Sequence, residues 1–450
     1  MSKVCFVTGG AGGLDACGFT FCGLALLTIA LKAGIYGSHG SRLEARRASG
    51  QDASYTSIAK EHPMMRKPSP TKCANTLCVA AQLVITLRTL LLGLVLTAGF
   101  LGCTSAAEPL TPHQPTEISP LTIRGFNGPE DMQLTPDGKH IVVSELPLDW
   151  AHPQEPSLVL VDLPDDRVHP LSVKMQPEAG WGDPACPVPA AFSTHGLFVS
   201  QRPDGHVQII AVNHTGRESI EFIELVSGAS GYGAIWRGCV AFEGGLFNDL
   251  VAYGSNGLIA TVMLDKTLVG DKDPTAFLFS GAKTGYLAEW NPRTGWKHLP
   301  GSEAALNNGI QLSADSRLVW FTAWTSRQVL EYDLQTQRIT RSVDVSFSPD
   351  NLTLRGDGAV IVAGIDDLAR WRDCTAEEGH FCQDKLAFSV ATLDPKTFIA
   401  KPPFHGNPGL LQGASVALAI DNALYVGTAT GDRLLKIPSV ELSTPRKDVN

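Results

Sequence analysis

Short stretches of alternating apolar and polar residues recur in pairs after residue 120, and a tight turn separates the two members of each pair. The turns contain Asp, Asn or Gly, which tolerate the positive φ angles of hairpin turns. This pattern predicts β-hairpins. The clearest pairs are 132–134 with 141–143, 310–312 with 318–321, 352–354 with 360–362, and 416–418 with 424–426. Further strands are predicted at 158–161 and 329–332.

The predicted hairpins return at a regular interval, which indicates the fold. Each begins beside a polar residue, and these anchors lie between 43 and 65 residues apart: Glu130, His195, Asn248, Asn308, Asn351 and Ser415. That spacing is typical of a four-stranded blade with variable loops. The pattern predicts an all-β protein, a six-bladed β-propeller over residues 121–440, with a linker at 108–120 and a tail at 441–450. Closure into a ring would leave only short, protected strand edges.

The first 107 residues follow a different pattern. Residues 3–14 resemble the opening of a short-chain dehydrogenase, but the resemblance stops there, so residues 1–63 are interpreted as an extension without a functional domain. An uncharged run at 89–102 has the length of a secretory h-region, and residues 64–107 are predicted to be a signal peptide or signal-anchor. Cleavage after Ala107 and a lipid on Cys103 both remain open. Met64 or Met65 is an alternative start.

Charge and cysteines are unevenly spread along the chain, and the charge after residue 107 suits a soluble domain that concentrates cations. Residues 1–107 carry 10 Lys and Arg against 4 Asp and Glu, so the remaining chain, with 26 against 41, has a net charge of −15. That balance argues against nucleic acid as a partner. Four cysteines follow residue 107, and the pairs Cys186–Cys239 and Cys374–Cys382 are favoured among three connectivities.

Pairs of oxygen-bearing side chains stand at the starts of the predicted strands. They are Glu130-Asp131, Asn248-Asp249, Asn307-Asn308 and Asp350-Asn351. A turn is the ordinary interpretation of any one such pair. In a propeller, however, the innermost strands start near one central tunnel, so the pairs would converge there. Converging carboxylates and amides favour calcium over zinc or copper.

These residues, in this order, resemble the paraoxonase family of calcium-dependent lactonases and arylesterases, which belongs to the broader gluconolactonase-like six-bladed propellers. The resemblance spans about residues 120–435 and lies in spaced motifs. Its segments are 128–131, 194–197, 212–216, 248–254, 308–310 and 350–352. The segments 194–197 and 212–216 resemble the two catalytic histidine segments of the family.

The resemblance implies a site for two calcium ions at the tunnel. It assigns Glu130, Asn248, Asn308, Asp350 and Asn351 to a catalytic calcium. It assigns Asp131, Asp249 and the backbone carbonyl of Leu197 to a structural calcium. Because neighbouring strand residues point in opposite directions, adjacent residues can serve different ions. His195 is implied to be the base that activates water, and His214 to hold or relay its proton.

The chain also departs from the family. The family ties its termini by a disulfide, whereas no cysteine lies near this C-terminus. Leu306-Asn307 replaces an aromatic-containing approach to the third ligand, and 365–367 lacks a pocket histidine. Ser415 has no evident partner and is interpreted as structural. Trp181, Trp236 and Trp324 are expected in the core or rim rather than in a pocket.

The leading hypothesis is an exported, periplasmic or extracellular hydrolase of lactones or aryl esters, with membrane attachment through its N-terminal segment left open. Calcium would polarise the carbonyl, and water activated by histidine would attack it. A serine hydrolase is not favoured because the sequence has no Gly-x-Ser-x-Gly elbow. The alternatives are a sugar-lactonase propeller of the gluconolactonase type and a non-catalytic propeller that binds a ligand.

Overall fold

The computed structural model describes residues 120–146, 157–191, 193–228, 231–270, 277, 279–378 and 386–438, with the backbone alone at 374–378. The chain divides into two compact units, Met1–Pro109 and Leu110–Asn450, and all described residues belong to the second. The predicted extension, signal segment, tail and Cys103 therefore lie outside the described residues. Within the described part of the chain, no helix is both long and apolar enough to span a bilayer.

Short β-strands account for most of the described chain. The strands are, in order, β1 (Leu121–Arg124), β2 (Pro129–Leu134), β3 (His140–Glu145), β4 (Leu158–Asp162), β5 (Arg167–Pro170), β6 (Val173–Met175), β7 (Thr194–Gln201), β8 (Val207–Asn213), β9 (Ser219–Gly228), β10 (Gly231–Ala241), β11 (Gly245–Tyr253), β12 (Gly257–Asp265), β13 (Gly285–Asn291), β14 (Gly295–Ala304), β15 (Asn307–Leu312), β16 (Leu318–Ala323), β17 (Gln328–Asp333), β18 (Arg338–Asp344), β19 (Ser348–Leu354), β20 (Val360–Ile365), β21 (Phe388–Asp394), β22 (Ile399–Ala400), β23 (Phe404–Gly406), β24 (Val416–Ile420), β25 (Ala423–Gly427) and β26 (Arg433–Pro438). Helix α1 (Lys266–Val269) follows β12, and helix α2 (Leu368–Glu378) follows β20.

The strands form six sheets, which we call blades 1 to 6. Blades 1, 3 and 4 are the antiparallel sheets β2 to β5, β11 to β14 and β15 to β18. Blade 2 contains β7 to β10 with β6 parallel to β10, and blade 5 contains β19 to β22 with β23 beside β21. Blade 6 is β24-β25-β26-β1. The first strands of the blades contact one another in a closed ring: β2, β7, β11, β15, β19 and β24. The predicted six-bladed β-propeller is confirmed.

The first described strand completes the last blade. β1 pairs antiparallel with β26, from Leu121 opposite Lys436 to Arg124 opposite Arg433. Ile123 of β1 is buried in the apolar cluster between blades 6 and 1. Backbone pairing therefore closes the ring within the described residues.

Alternation along each strand supplies both faces of a blade, because successive side chains point to opposite sides. Ile209 packs between blades 1 and 2, whereas its neighbour Ile210 packs between blades 2 and 3. Leu250 and Val251 divide in the same way between the two faces of blade 3. Since every blade is covered on both faces, the middle strands are almost wholly apolar.

The turns of the predicted hairpins contain residues with positive φ, as their composition predicts. Gly138, Ser316, Gly358 and Asp421 have φ angles of 68°, 56°, 85° and 51°. Outside the hairpins, a disulfide joins Cys186 to Cys239 of β10, with 5.6 Å between the Cα atoms. This predicted pair is confirmed, whereas Cys374–Cys382 includes a cysteine that lies outside the described residues.

Candidate active site

Irregular strand pairing brings the candidate residues to one end of the ring. In blades 1 to 5 the register between the first two strands shifts, and the shifts lie at Pro129/Asp131, Thr194/Leu197, Phe247/Leu250, Asn307/Ile310 and Pro349/Leu352. Each shift contains one or two of the residues singled out from the sequence. Because a β-bulge re-aims side chains, it is a common device beside functional sites.

The re-aimed side chains form the floor of a cavity of about 360 Å³. Glu130, His195, Asn248, Asn308 and Asp350 all line it. Asn351 is buried beside them, and its Nδ2 donates to Glu130 Oε1 at 2.8 Å. All five residues assigned from the sequence to the first calcium therefore lie together with the candidate base.

Four oxygen atoms at this floor or beside it lack hydrogen-bond partners. They are Glu130 Oε2, Asn248 Oδ1, Asn308 Oδ1 and Asn351 Oδ1, and all are buried. A buried polar atom without a partner costs about 1–3 kcal/mol. The amide nitrogens, in contrast, are engaged. Asn248 Nδ2 lies 3.4 Å from His195 Nε2, and Asn351 Nδ2 is bound to Glu130. The unpaired oxygens are therefore available to a cation.

The local electrostatics also favour a cation. Burial, followed by the charges of Asp350, Asp131 and Asp249, raises the pKa of Glu130 well above its usual range. Burial raises the pKa of Asp350 to about 8, and burial followed by the charge of Asp131 raises that of Asp249. Among the described ion pairs, none joins these carboxylates to Lys or Arg; a divalent cation would compensate their charge.

No cluster of three or more His, Cys, Asp or Glu side chains within the described ranges has the arrangement of a metal site. The floor differs from such a cluster because most of its unpaired oxygens belong to asparagine. Calcium accepts amide and carbonyl oxygens as ligands, whereas zinc prefers Cys and His. The residues present therefore fit calcium better than a transition metal.

Asp131 and Asp249, assigned to a second ion, do not line the cavity, and each links two neighbouring blades. Asp131 accepts hydrogen bonds from Met132 N and, in the next blade, from Leu197 N, at 2.7 and 2.8 Å. Asp249 accepts in the same way from Leu250 N and Ile310 N, at 2.7 and 2.9 Å. Burial raises the pKa of Asp131 to about 7. Each carboxylate oxygen retains a lone pair beyond these bonds.

A chain of three side chains leads away from the cavity floor. His195 Nδ1 lies 2.8 Å from His214 Nε2, and His214 Nδ1 lies 2.8 Å from Glu218 Oε2. His195 Nε2 lies on the cavity side, 3.7 Å from Glu130 Oε1. Burial, followed by the neighbouring His214, lowers the pKa of His195 well below its usual range. His195 is therefore neutral at pH 7 and able to accept a proton.

Apolar side chains form most of the cavity wall. The aliphatic ones are Leu146, Leu246, Met263, Leu264, Leu306 and Ile365. Trp324 and Trp371 complete the wall, with their rings 5.4 Å apart and nearly perpendicular. Trp181 and Trp236 lie in apolar clusters between blades, as expected. Trp324 lies in a separate apolar cluster and also lines the cavity.

Sequence reasoning missed two contributors to this site. Trp371 lies on α2, a short helix without strong amphipathic patterning. Glu218 lies at the far end of the turn that follows β8, four residues after His214. The His-x-x-x-Glu spacing across a tight turn was the available signal, because such a turn returns the chain onto itself. Ser415, interpreted as structural, donates from Oγ to the backbone oxygen of Glu130 at 2.6 Å and so joins blades 6 and 1.

Comparison with known proteins supplies fold similarity only. No protein-family model matches the chain, and no curated protein matches it in sequence. Similar solved structures include a luciferin-regenerating enzyme, 12% identical with a TM-score of 0.44, covering 72% of this chain and 96% of that one. A putative gluconolactonase is 13% identical with a TM-score of 0.41, covering 72% and 94%. Regucalcin, a calcium-binding protein from Agrobacterium tumefaciens, is 13% identical with a TM-score of 0.41, covering 72% and 96%. At these values the likeness carries no argument about activity.

Proposed function

We propose that this protein is a calcium-dependent hydrolase of lactones or aryl esters. The observation that supports it most directly is a set of four buried, unpaired oxygens from four different blades. Three belong to side chains that line the cavity, and the fourth, Asn351 Oδ1, belongs to a side chain bonded to Glu130. Maintaining these atoms without partners costs stability. That cost is offset when a cation binds them, which is the simplest reason for their convergence.

Glu130, Asn248, Asn308, Asp350 and Asn351 would hold the ion beside the cavity. Asp131, Asp249 and the carbonyl of Leu197 would hold a second, structural ion. Calcium takes six to eight oxygen ligands, and these residues offer carboxylate, amide and carbonyl oxygens. A calcium ion bound at the floor would act as a Lewis acid on an ester carbonyl.

His195 is the proposed general base. Its neutral imidazole presents Nε2 to the cavity and accepts a proton from water as the water oxygen bonds to the carbonyl carbon. The ester C–O bond then breaks, and the departing oxygen takes up a proton, which gives an acid and an alcohol, or a hydroxy acid from a lactone. His214 holds His195 in position through Nδ1.

The cavity wall favours a substrate with an apolar acyl or aryl part. A polar sugar lactone would leave its hydroxyl groups facing Leu246, Met263, Leu306 and Ile365, where these groups would lose hydrogen bonds to water. The site therefore supports the paraoxonase-like hypothesis over the sugar-lactonase alternative.

We further propose that the protein is exported. The uncharged run at 89–102 supports export, as does the Cys186–Cys239 disulfide, because disulfides persist in oxidising compartments. Fractionation of cells that express the full chain would check it: recovery of the protein with cytosolic markers would contradict export.

A substrate panel run with and without a calcium chelator tests the proposed activity. The panel pairs an aliphatic lactone and an aryl ester with a sugar lactone of the same ring size. We expect turnover of the first two with calcium, loss of that turnover with chelator, and recovery when calcium is added back. We also expect chelation to lower the melting temperature, in two phases if both ions bind.

The opposite outcomes discriminate between the alternatives. Preferential turnover of the sugar lactone would favour the sugar-lactonase interpretation. No turnover of any ester or lactone, with calcium still raising the melting temperature, would favour a non-catalytic propeller. If chelator changes neither the turnover nor the melting temperature, the proposed calcium dependence is wrong.

A further inference from the structure

Glu218 lies at the end of the chain of side chains that begins at His195. It follows β8 and precedes β9, so the turn between these strands returns it to His214. The side chains of His214 and Glu218 are 1% and 9% exposed. Both groups are therefore shielded from solvent, and a hydrogen bond between them is strong because the local dielectric is low.

The hydrogen bonds of Glu218 fix the direction of the whole chain. Its Oε1 accepts from Phe247 N at 2.6 Å, and a backbone N–H is always a donor. Its Oε2 lies 2.8 Å from His214 Nδ1. A carboxylate accepts at both oxygens, so His214 must carry its proton on Nδ1.

The tautomer of His214 in turn determines that of His195. With Nδ1 protonated, neutral His214 offers a lone pair on Nε2, which therefore accepts from His195 Nδ1. His195 then has its own lone pair on Nε2, on the cavity side. Asn248 Nδ2, 3.4 Å away, can only donate to that lone pair.

Glu218 also reaches a second cavity, of about 480 Å³. Phe242, Glu243 and Lys266 line this second cavity with it. Leu246 and Leu264 belong to the walls of both cavities, so these two side chains separate them. The chain His195–His214–Glu218 thus connects the floor of the first cavity to the wall of the second.

We propose that Glu218 is a positioning residue for the hydrolytic reaction: it holds both imidazoles in the tautomer that leaves His195 Nε2 unprotonated, and it ends a relay that opens onto the second cavity. This inference rests on the proposed function. Glu218 contacts no substrate; it acts through His214, as an orienting carboxylate acts on a catalytic histidine.

Glu218→Gln provides a sharp test because the amide has one acceptor and one donor end. With its oxygen on Phe247 N, the amide nitrogen donates to His214 Nδ1 and reverses both tautomers, so that His195 Nε2 carries a proton. We expect kcat for lactone or ester hydrolysis to fall by about 10²-fold or more. KM and the calcium dissociation constant should change far less than kcat, since Glu218 lines neither the first cavity nor its floor.

Chemical rescue separates this role from a merely structural one. In Glu218→Ala the loss of the carboxylate leaves a space beside the second cavity, and formate can fill that space. We expect added formate to raise kcat of Glu218→Ala and to leave His214→Gln unchanged. Glu243 is an exposed glutamate that lines the same second cavity. Glu243→Gln is the matched control and should behave as the wild type.

Two results would overturn the inference: kcat of Glu218→Gln close to that of the wild type, or loss of calcium affinity together with kcat and no rescue by formate. Nitrogen-15 spectra of the histidines give a readout that needs no turnover. We expect a His214 Nδ1–H resonance in the wild type that is lost or shifted in Glu218→Gln. If the substrate panel fails but this resonance behaves as expected, the proposed function is wrong, and of the inference only the control of both histidine tautomers by Glu218 stands. An unchanged resonance rejects that control as well.

Discussion

At the scale of single residues, burial decides how the polar groups of this protein behave. Glu145 of β3 is 6% exposed, and its Oε1 accepts from Asn127 N at 2.8 Å. Burial raises the pKa of Glu145 to about 7. It has no positive partner among the described ion pairs, so its ionised form lacks the compensation that an Arg or Lys would provide.

Glu145 should make the stability of the protein depend on pH. Its folded pKa lies above the unfolded value of about 4.5, so the folded state binds the proton more tightly, and stability falls as pH rises from about 4.5 to 7. Glu145→Gln keeps the acceptor for Asn127 and removes the charge. We expect equal melting temperatures near pH 4.5 and a more stable variant at pH 8, by up to about 3 kcal/mol.

Thermal melts at both pH values in saturating calcium measure the effect of Glu145→Gln. Exposed Glu243→Gln is the control, which should match the wild type throughout. If Glu145→Gln and the wild type differ in melting temperature by the same amount at both pH values, the shape of the side chain and not its charge explains the difference.

At the scale of elements, the first strands of the blades lie unusually close to one another. A Cβ added at Gly196 of β7 would lie 2.5 Å from both Asn248 O and Asp249 Cα of β11. A Cβ at Gly309 of β15 would meet Asn351 Cα of β19 at the same distance. These glycines permit the approach that brings oxygens from different blades to one centre.

Replacing Gly196 by Ala should therefore separate β7 from β11. The clash is with backbone atoms, which cannot rotate away, so we expect a loss of about 2–3 kcal/mol in the free energy of unfolding, together with weaker calcium binding. Gly233→Ala in β10, where the added Cβ meets nothing within 4 Å, should stay within about 0.5 kcal/mol of the wild type. Urea unfolding compares the two, and equal midpoints would contradict the close approach.

Turn chemistry and strand alternation predict the hairpins well because both are local. The hairpin turn before β20 contains Gly358 at a positive φ. The apolar residues that follow this turn form β20, a fully buried inner strand of blade 5. The short parallel strand β6 and helix α2 are not predictable in this way. β6 is held by pairing with β10, more than 55 residues away, and charged residues occupy five of the eleven positions of α2.

The candidate site is predictable from sequence only in part, for a related reason. Adjacent oxygen pairs at strand starts identify Glu130, Asn248, Asn308 and Asn351, because the propeller geometry brings the starts of the innermost strands to one end of the ring. The wall depends on contacts that have no sequence spacing, such as Trp324 of the loop after β16 against Trp371 of α2. Glu218 requires knowledge of how the turn after β8 folds back.

At the scale of the whole molecule, the site belongs to the ring and to no single blade. Blades 1, 3, 4 and 5 each contribute one unpaired oxygen, and blade 2 contributes both histidines. Blade 6 closes the ring through β1 and holds Glu130 through Ser415. Removing the ion should therefore loosen contacts between blades as well as stop the chemistry.

The measurement that tests this account most directly is turnover of the best ester or lactone as a function of free calcium, for the wild type, Asn308→Ala and His195→Gln. We expect a hyperbolic rise for the wild type. Asn308→Ala should move the midpoint to at least about tenfold more calcium, equivalent to about 1.4 kcal/mol. His195→Gln should keep the wild-type midpoint and lower the plateau by about 10²–10⁴-fold. Wild-type turnover that does not depend on calcium, an unmoved midpoint in Asn308→Ala, or a wild-type plateau in His195→Gln would contradict it.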